Sequence, residues 1–139
     1  MKIFKKFVAI VLSICLLLTF VGCGESNDVY DNFEPAGVTV VESIGSTQYE
    51  TSIDDKETAQ KMWGVFANLE LNLDKRGEMG SSYIYMCFYN EDQSTLAIFT
   101  IYENGSCCLG EDFSSFYTVY NGEEVFMDIY DIYTDYVQK

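Results

Sequence analysis

No histidine occurs anywhere in this 139-residue chain, and Pro35 is its single proline. Without imidazole there is no Ser-His or Cys-His dyad, no customary general base near neutral pH, and none of the commonest transition-metal ligand. Basic residues are also scarce: 8 Lys and Arg stand against 22 Asp and Glu, for a net charge of −14. That balance argues against a nucleic-acid face, which needs clustered cations to displace counterions from phosphates. The sequence holds no G-x-S-x-G, P-loop, H-E-x-x-H or D-x-D-x-D-G pattern, so the common motifs for acyl transfer, phosphate binding, zinc hydrolysis and calcium are missing. No segment of roughly 20 to 50 residues repeats, which excludes a solenoid.

What is present begins with MKIFKK, followed by an uncharged, apolar run over residues 7–20. A basic start and a short apolar run form the layout of a secretory signal. The run falls short of the about 20 apolar residues that cross a bilayer. Being apolar all round, it also lacks the polar stripe of a core helix. It ends in Phe20-Val21-Gly22-Cys23, which resembles the lipobox of bacterial lipoproteins, although Phe20 stands where that family usually carries Leu. The resemblance covers residues 1–23. It implies cleavage after Gly22, a diacylglycerol on the Cys23 sulfur, and a mature chain held on the outer, extracytoplasmic face of the cell membrane by its lipid. Two acyl chains on one cysteine suffice for stable anchoring, at about 0.8 kcal/mol per buried methylene. Removing residues 1–22 takes 3 of the 8 basic residues and none of the 22 acidic ones, so the mature charge becomes −17. Such a domain is repelled from anionic head groups and stands off the bilayer.

Residues 23–37 are polar and acidic after the cysteine and predict a flexible tether with a reach of roughly 20 Å. One domain then occupies 38–139, a length suited to a single core. Runs of β-branched and aromatic residues predict strands over 38–42, 47–53, 83–89, 96–102, 106–110 and 115–120. Between 53 and 69, Ala59, Met62, Trp63, Phe66 and Leu69 recur at helical spacing behind an apparent capping box at 52–55. A second helix opens at Gly122 with Val125, Phe126, Ile129, Tyr130, Tyr133 and Val137 on one face. Residues 72–82 read as a loop. The expected fold is α+β, in the order β-β-α-β-β-β-β-α: an antiparallel sheet of about five to six strands packed by two helices.

Two hairpin turns set the expected faces. Asn104-Gly105 predicts a two-residue turn that places Tyr102 opposite Cys107 and Ile101 opposite Cys108. A loop over 90–93 places Cys87 opposite Leu96 and Ile84 opposite Phe99. One face then carries Ile84, Met86, Phe88, Ala97, Phe99, Ile101 and Cys108, and is the expected core. The other carries Tyr83, Tyr85, Cys87, Tyr89, Leu96, Ile98, Tyr102 and Cys107. On this register Cys87 and Cys108 point to opposite faces, and Cys87 and Cys107 are about 20 Å apart, beyond disulfide reach. No disulfide, no metal site and no cofactor is expected, and the thiols of Cys87, Cys107 and Cys108 read as packing groups.

Tyr83, Tyr85, Tyr89 and Tyr102 give the second face an amphipathic character that suits contact with sugar rings or a protein partner. A covering helix would remove that surface. Acidic residues recur at helical steps in the last helix (Glu123, Glu124, Asp128, Asp131, Asp135), where a solvated face is the plain reading. The expectation is therefore a non-enzymatic, membrane-anchored binding or accessory module of the cell envelope, with no nucleic-acid partner. An acidic inhibitor or immunity-type protein that neutralises a basic target is the alternative. A small hydrolase using paired carboxylates is a distant third.

Overall fold

Seven antiparallel strands and two helices make up the described residues of the computed structural model, which are 33–111, 113 and 115–139. The expected signal peptide, Gly22, Cys23 and the tether up to residue 32 lie outside them. In chain order the elements are β1 (Gly37–Ile44), β2 (Thr47–Ile53), α1 (Lys56–Ala67), β3 (Leu71–Arg76), β4 (Tyr83–Tyr89), β5 (Thr95–Tyr102), β6 (Ser106–Leu109), β7 (Phe116–Val119) and α2 (Gly122–Val137). They form one sheet, ordered β2-β1-β4-β5-β6-β7-β3. The class is the expected α+β, with one strand more than anticipated.

The additional strand is β3, LNLDKR, in the stretch read as a loop. It pairs only with β7, through a bulge between Asn72 and Arg76, and Leu73 to Arg76 are exposed. An edge strand that packs little side-chain surface has no reason to alternate, so nothing in its composition marks it. At the other end of the domain, residues 35–37 lie within the expected tether yet belong to the packed domain. Pro35 is buried, the Ala36 amide donates to the Tyr89 carbonyl at 2.9 Å, and Gly37 opens β1.

Both helices lie on the same side of the sheet. The Trp63 ring of α1 meets Phe88 edge-on at 5.1 Å, and Phe66 sits 4.9 Å from Phe99. From α2, Ile129 is fully buried and the Tyr133 hydroxyl is hydrogen-bonded to Thr51 at 3.1 Å. The core is thus Val38, Val40, Ile84, Met86, Phe88, Phe99 and Ile101 under two apolar helix stripes, as alternation in the strands requires. The start of α1 differs from the expected box. Asp55 is the N-cap, its carboxylate accepting from both the amide and the hydroxyl of Thr58, while Ser52 and Ile53 still belong to β2. Those hydrogen bonds hold the Asp55 carboxyl below its usual range.

Two registers differ from expectation, with opposite consequences. Between β4 and β5 the loop covers 90–94 and a bulge follows, so Cys87 faces Ile98 and Ile84 faces Ile101. A two-residue shift leaves every side chain on its expected face. Between β5 and β6 the turn contains Glu103, Asn104 and Gly105, with Gly105 at φ +77. Three residues in place of two slide the partner by one, and Ile101 faces Cys107 while Thr100 faces Cys108. Cys107 therefore sits on the helix side and Cys108 on the other, the reverse of the expected placement.

Candidate functional site

The side of the sheet opposite the helices carries no helix among the described residues. Alternation puts Thr39 and Val41 of β1, Tyr83, Tyr85 and Cys87 of β4, and Ile98, Thr100 and Tyr102 of β5 on it. Tyr83 stands directly opposite Tyr102, their rings 5.8 Å apart and tilted by 60°. Tyr102 also meets Phe116 at 5.9 Å. The Gln48 side-chain amide reaches from β2 across β1 and donates to the Tyr83 hydroxyl at 2.7 Å.

Topology supplies the remaining wall. Because β3 lies at an edge and β4 in the centre, the connector over 77–82 must pass β7, β6 and β5. It is tied to the β5–β6 end of the sheet. The Glu78 amide donates to Ser106 Oγ at 3.0 Å, Asn104 Nδ2 donates to the Glu78 carbonyl at 3.1 Å, and Ser81 Oγ donates to Glu103 Oε1 at 2.6 Å. This brings Met79 and Gly80 against the tyrosines. With Phe113 they close a cleft of about 430 Å³ lined by Val41, Gln48, Met79, Gly80, Tyr83, Tyr85, Tyr102 and Phe113. Met79 is 65 % exposed and Phe113 46 %, whereas Tyr102 at 2 % forms the floor. No side chain in this lining carries a charge. Burial pushes the phenols of Tyr85 and Tyr102 up from their ordinary range, so both remain hydrogen-bond donors in neutral solution.

Three of the four expected tyrosines thus share one cleft, and Tyr89 does not. Its ring lies over Gly37, where an added Cβ would fall 2.3 Å from the Tyr89 hydroxyl oxygen. That hydroxyl donates to Asp54 Oδ1 at 2.7 Å. Tyr89 fastens β1 and the β2–α1 junction. Met79 and Phe113 complete the cleft but lie in connectors, where sequence reading found no signal for them.

Among the described residues, Cys87 and Cys107 are free thiols. Cys87 and Cys108 share the open side, flanking β5 at Ile98 and Thr100. Two strand spacings of about 4.8 Å hold them beyond the roughly 7 Å limit for a disulfide. Cys108 donates to the Ser115 carbonyl at 3.1 Å. Cys107 is fully buried, and burial pushes its thiol up to about 12, which keeps it protonated and unreactive. Glu123, Glu124, Asp128, Asp131 and Asp135 are all exposed on α2. Among the described residues no cluster of three or more His, Cys, Asp or Glu is placed to hold a metal, and no helix is long and apolar enough to cross a membrane.

Comparison of the chain with models of known protein families, with curated proteins and with solved structures finds no match. Any functional reading therefore comes from this chain's own residues.

Proposed function

We propose that this chain is a lipid-anchored, extracytoplasmic binding module of the cell envelope, without catalytic activity, whose ligand face is the open side of the sheet. One observation carries the binding reading: an uncharged cleft of about 430 Å³, walled by Tyr83, Tyr85, Tyr102, Met79 and Phe113, on the side that neither helix covers. That volume falls within the range of small-ligand sites, and aromatic walls with a few polar tips are their usual lining. Phenol rings offer flat apolar faces, while their hydroxyls and the Gln48 amide supply directional hydrogen bonds. This chemistry suits a neutral ring-bearing ligand such as an envelope sugar. The lipobox-like residues 20–23 support the anchoring, with Cys23 carrying the lipid and Gly22 preceding the cut.

Titration of the isotope-labelled chain with envelope glycan fragments tests the cleft. Expected are resonance shifts at Tyr85, Met79 and Phe113, with affinity weakened about tenfold or more by Tyr85→Ala or Met79→Ala. Shifts confined to other surfaces, or binding unchanged in both variants, would overturn the assignment. The anchor has a separate measurement. Intact mass should show a lipidated chain beginning at Cys23, and Cys23→Ser should release the protein from membranes.

A further inference from the structure

On the helix side, β1 carries an unexpected residue. Val38, Val40 and Glu42 share one face by alternation, and the third is a carboxylate. Glu42 is only 9 % exposed, yet it has no hydrogen bond or ion pair among the described residues. Its oxygens are not sealed from water: among the described residues the sealed, unpartnered side-chain oxygen is Thr100 Oγ1, so the Glu42 carboxylate opens to solvent. Its surroundings show what it opens into. Glu42 lines a groove of about 330 Å³ between β2 and the C-terminal half of α2, with Tyr49, Thr51, Tyr130, Tyr133 and Val137.

The lining of this groove carries no cation, although Lys139 directly follows Gln138. Glu50 borders it, but it pairs with Val41, and alternation gives its side chain to the other face of the sheet. The last turn of α2, bordering it through Thr134 and Gln138, contains no basic residue, so the negative end of the helix dipole is uncompensated by a cation within that turn. Tyr49 is 61 % exposed at the mouth, and phenol faces attract cations. Thr51 Oγ1 and the Tyr133 hydroxyl, 3.1 Å apart, add acceptor lone pairs beside the carboxylate. A single carboxylate on this face is too little for calcium, which takes about 6 to 8 oxygens. A quaternary ammonium has no N–H to give. A primary ammonium has three donors on a compact head, and its apolar stem fits beside Tyr130 and Val137.

We infer that the groove between β2 and α2 binds an alkylammonium group, with Glu42 as its counter-ion. The group comes either from a free amine or from a lysine side chain of a basic partner. The site lies on the other side of the sheet from the tyrosine cleft and stands or falls independently of it.

The test is an NMR titration of the full-length chain with pentylamine, with a blocked Gly-Lys-Gly peptide, and with pentanol and tetramethylammonium as controls. Pentylamine or the peptide should shift Tyr49, Thr51, Tyr133 and Thr134, and the controls should leave them in place. Whichever amine binds more tightly identifies the source. Glu42→Gln should weaken binding by about tenfold or more, while the melting temperature without amine stays level, because the carboxylate makes no hydrogen bond or ion pair among the described residues. A structural Glu42 gives the opposite: a lower melting temperature and unchanged amine binding. Thr51→Val provides a second variant that leaves the charge intact and should weaken the amine but not abolish it. Absence of shifts at these four residues with both amines, or equal binding by wild type and Glu42→Gln, overturns the inference.

Discussion

Tyr85 and Tyr89 stand four residues apart on β4 and share a face, yet only Tyr85 lines the cleft. The difference is Gly37, opposite Tyr89 on β1, whose missing side chain leaves a slot for the ring. Burial and the bond to Asp54 push the Tyr89 phenol up to about 12. Its protonated form is therefore favoured by the folded state over the unfolded state, where the value is about 10. The stabilisation is present in full below about pH 10 and lost as pH rises through about 12. Tyr89→Phe should cost about 1 kcal/mol near neutrality. Urea midpoints should show the gap between wild type and variant closing across that alkaline window. Glu42 carries the corresponding lesson for the helix side. Its parity with Val38 and Val40 is readable in VTVVE, but its burial comes from α2, more than eighty residues later.

At the scale of elements, the strands that face the core and the two amphipathic helices were legible, because a stripe at period 2 or 3.6 has one physical explanation. β3 was not, since an exposed edge strand is under no such constraint. The β5–β6 turn was misread by one residue. Asn104-Gly105 fits a two-residue turn locally, but Gly105 is also where α2 begins its approach. An added Cβ on Gly122 would fall 2.4 Å from the Gly105 Cα. Both glycines are needed for this backbone contact, and the Val119 amide donates to the Gly105 carbonyl at 3.0 Å beside it. Gly122→Ala should destabilise the domain by roughly 1–3 kcal/mol, because backbone on both sides must move. Thermal denaturation would register the loss. A variant as stable as wild type would show that the turn and helix separate freely.

For the molecule as a whole, charge and aromatic content divide the surface into two kinds of site. The tyrosine cleft is lined without charge, while the Glu42 groove is anionic within a strongly acidic chain. Ionic strength should therefore distinguish them. Glycan binding in the cleft should hold steady between low salt and about 1 M, where the Debye length falls to roughly 3 Å. Association with a basic, lysine-bearing partner should slow by about tenfold or more over the same range. Surface plasmon resonance on immobilised full-length chain separates the two through the association rate. Cleft binding that faded with salt would contradict an uncharged contact.

Composition alone removed histidine chemistry, and the apolar run ending at Cys23 set the expectation of an anchored lipoprotein, because charge and hydropathy act through amounts and local order. Alternation also placed Tyr83, Tyr85 and Tyr102 on one face, a property internal to each strand and preserved by the even shift between β4 and β5. Tertiary structure decided what lay over that face. The helices both chose the other side, the 77–82 connector delivered Met79, and the sheet order set α2 against Glu42. Those outcomes depend on contacts between distant segments, whose free energy is a property of the packed whole and leaves no periodic trace in the chain.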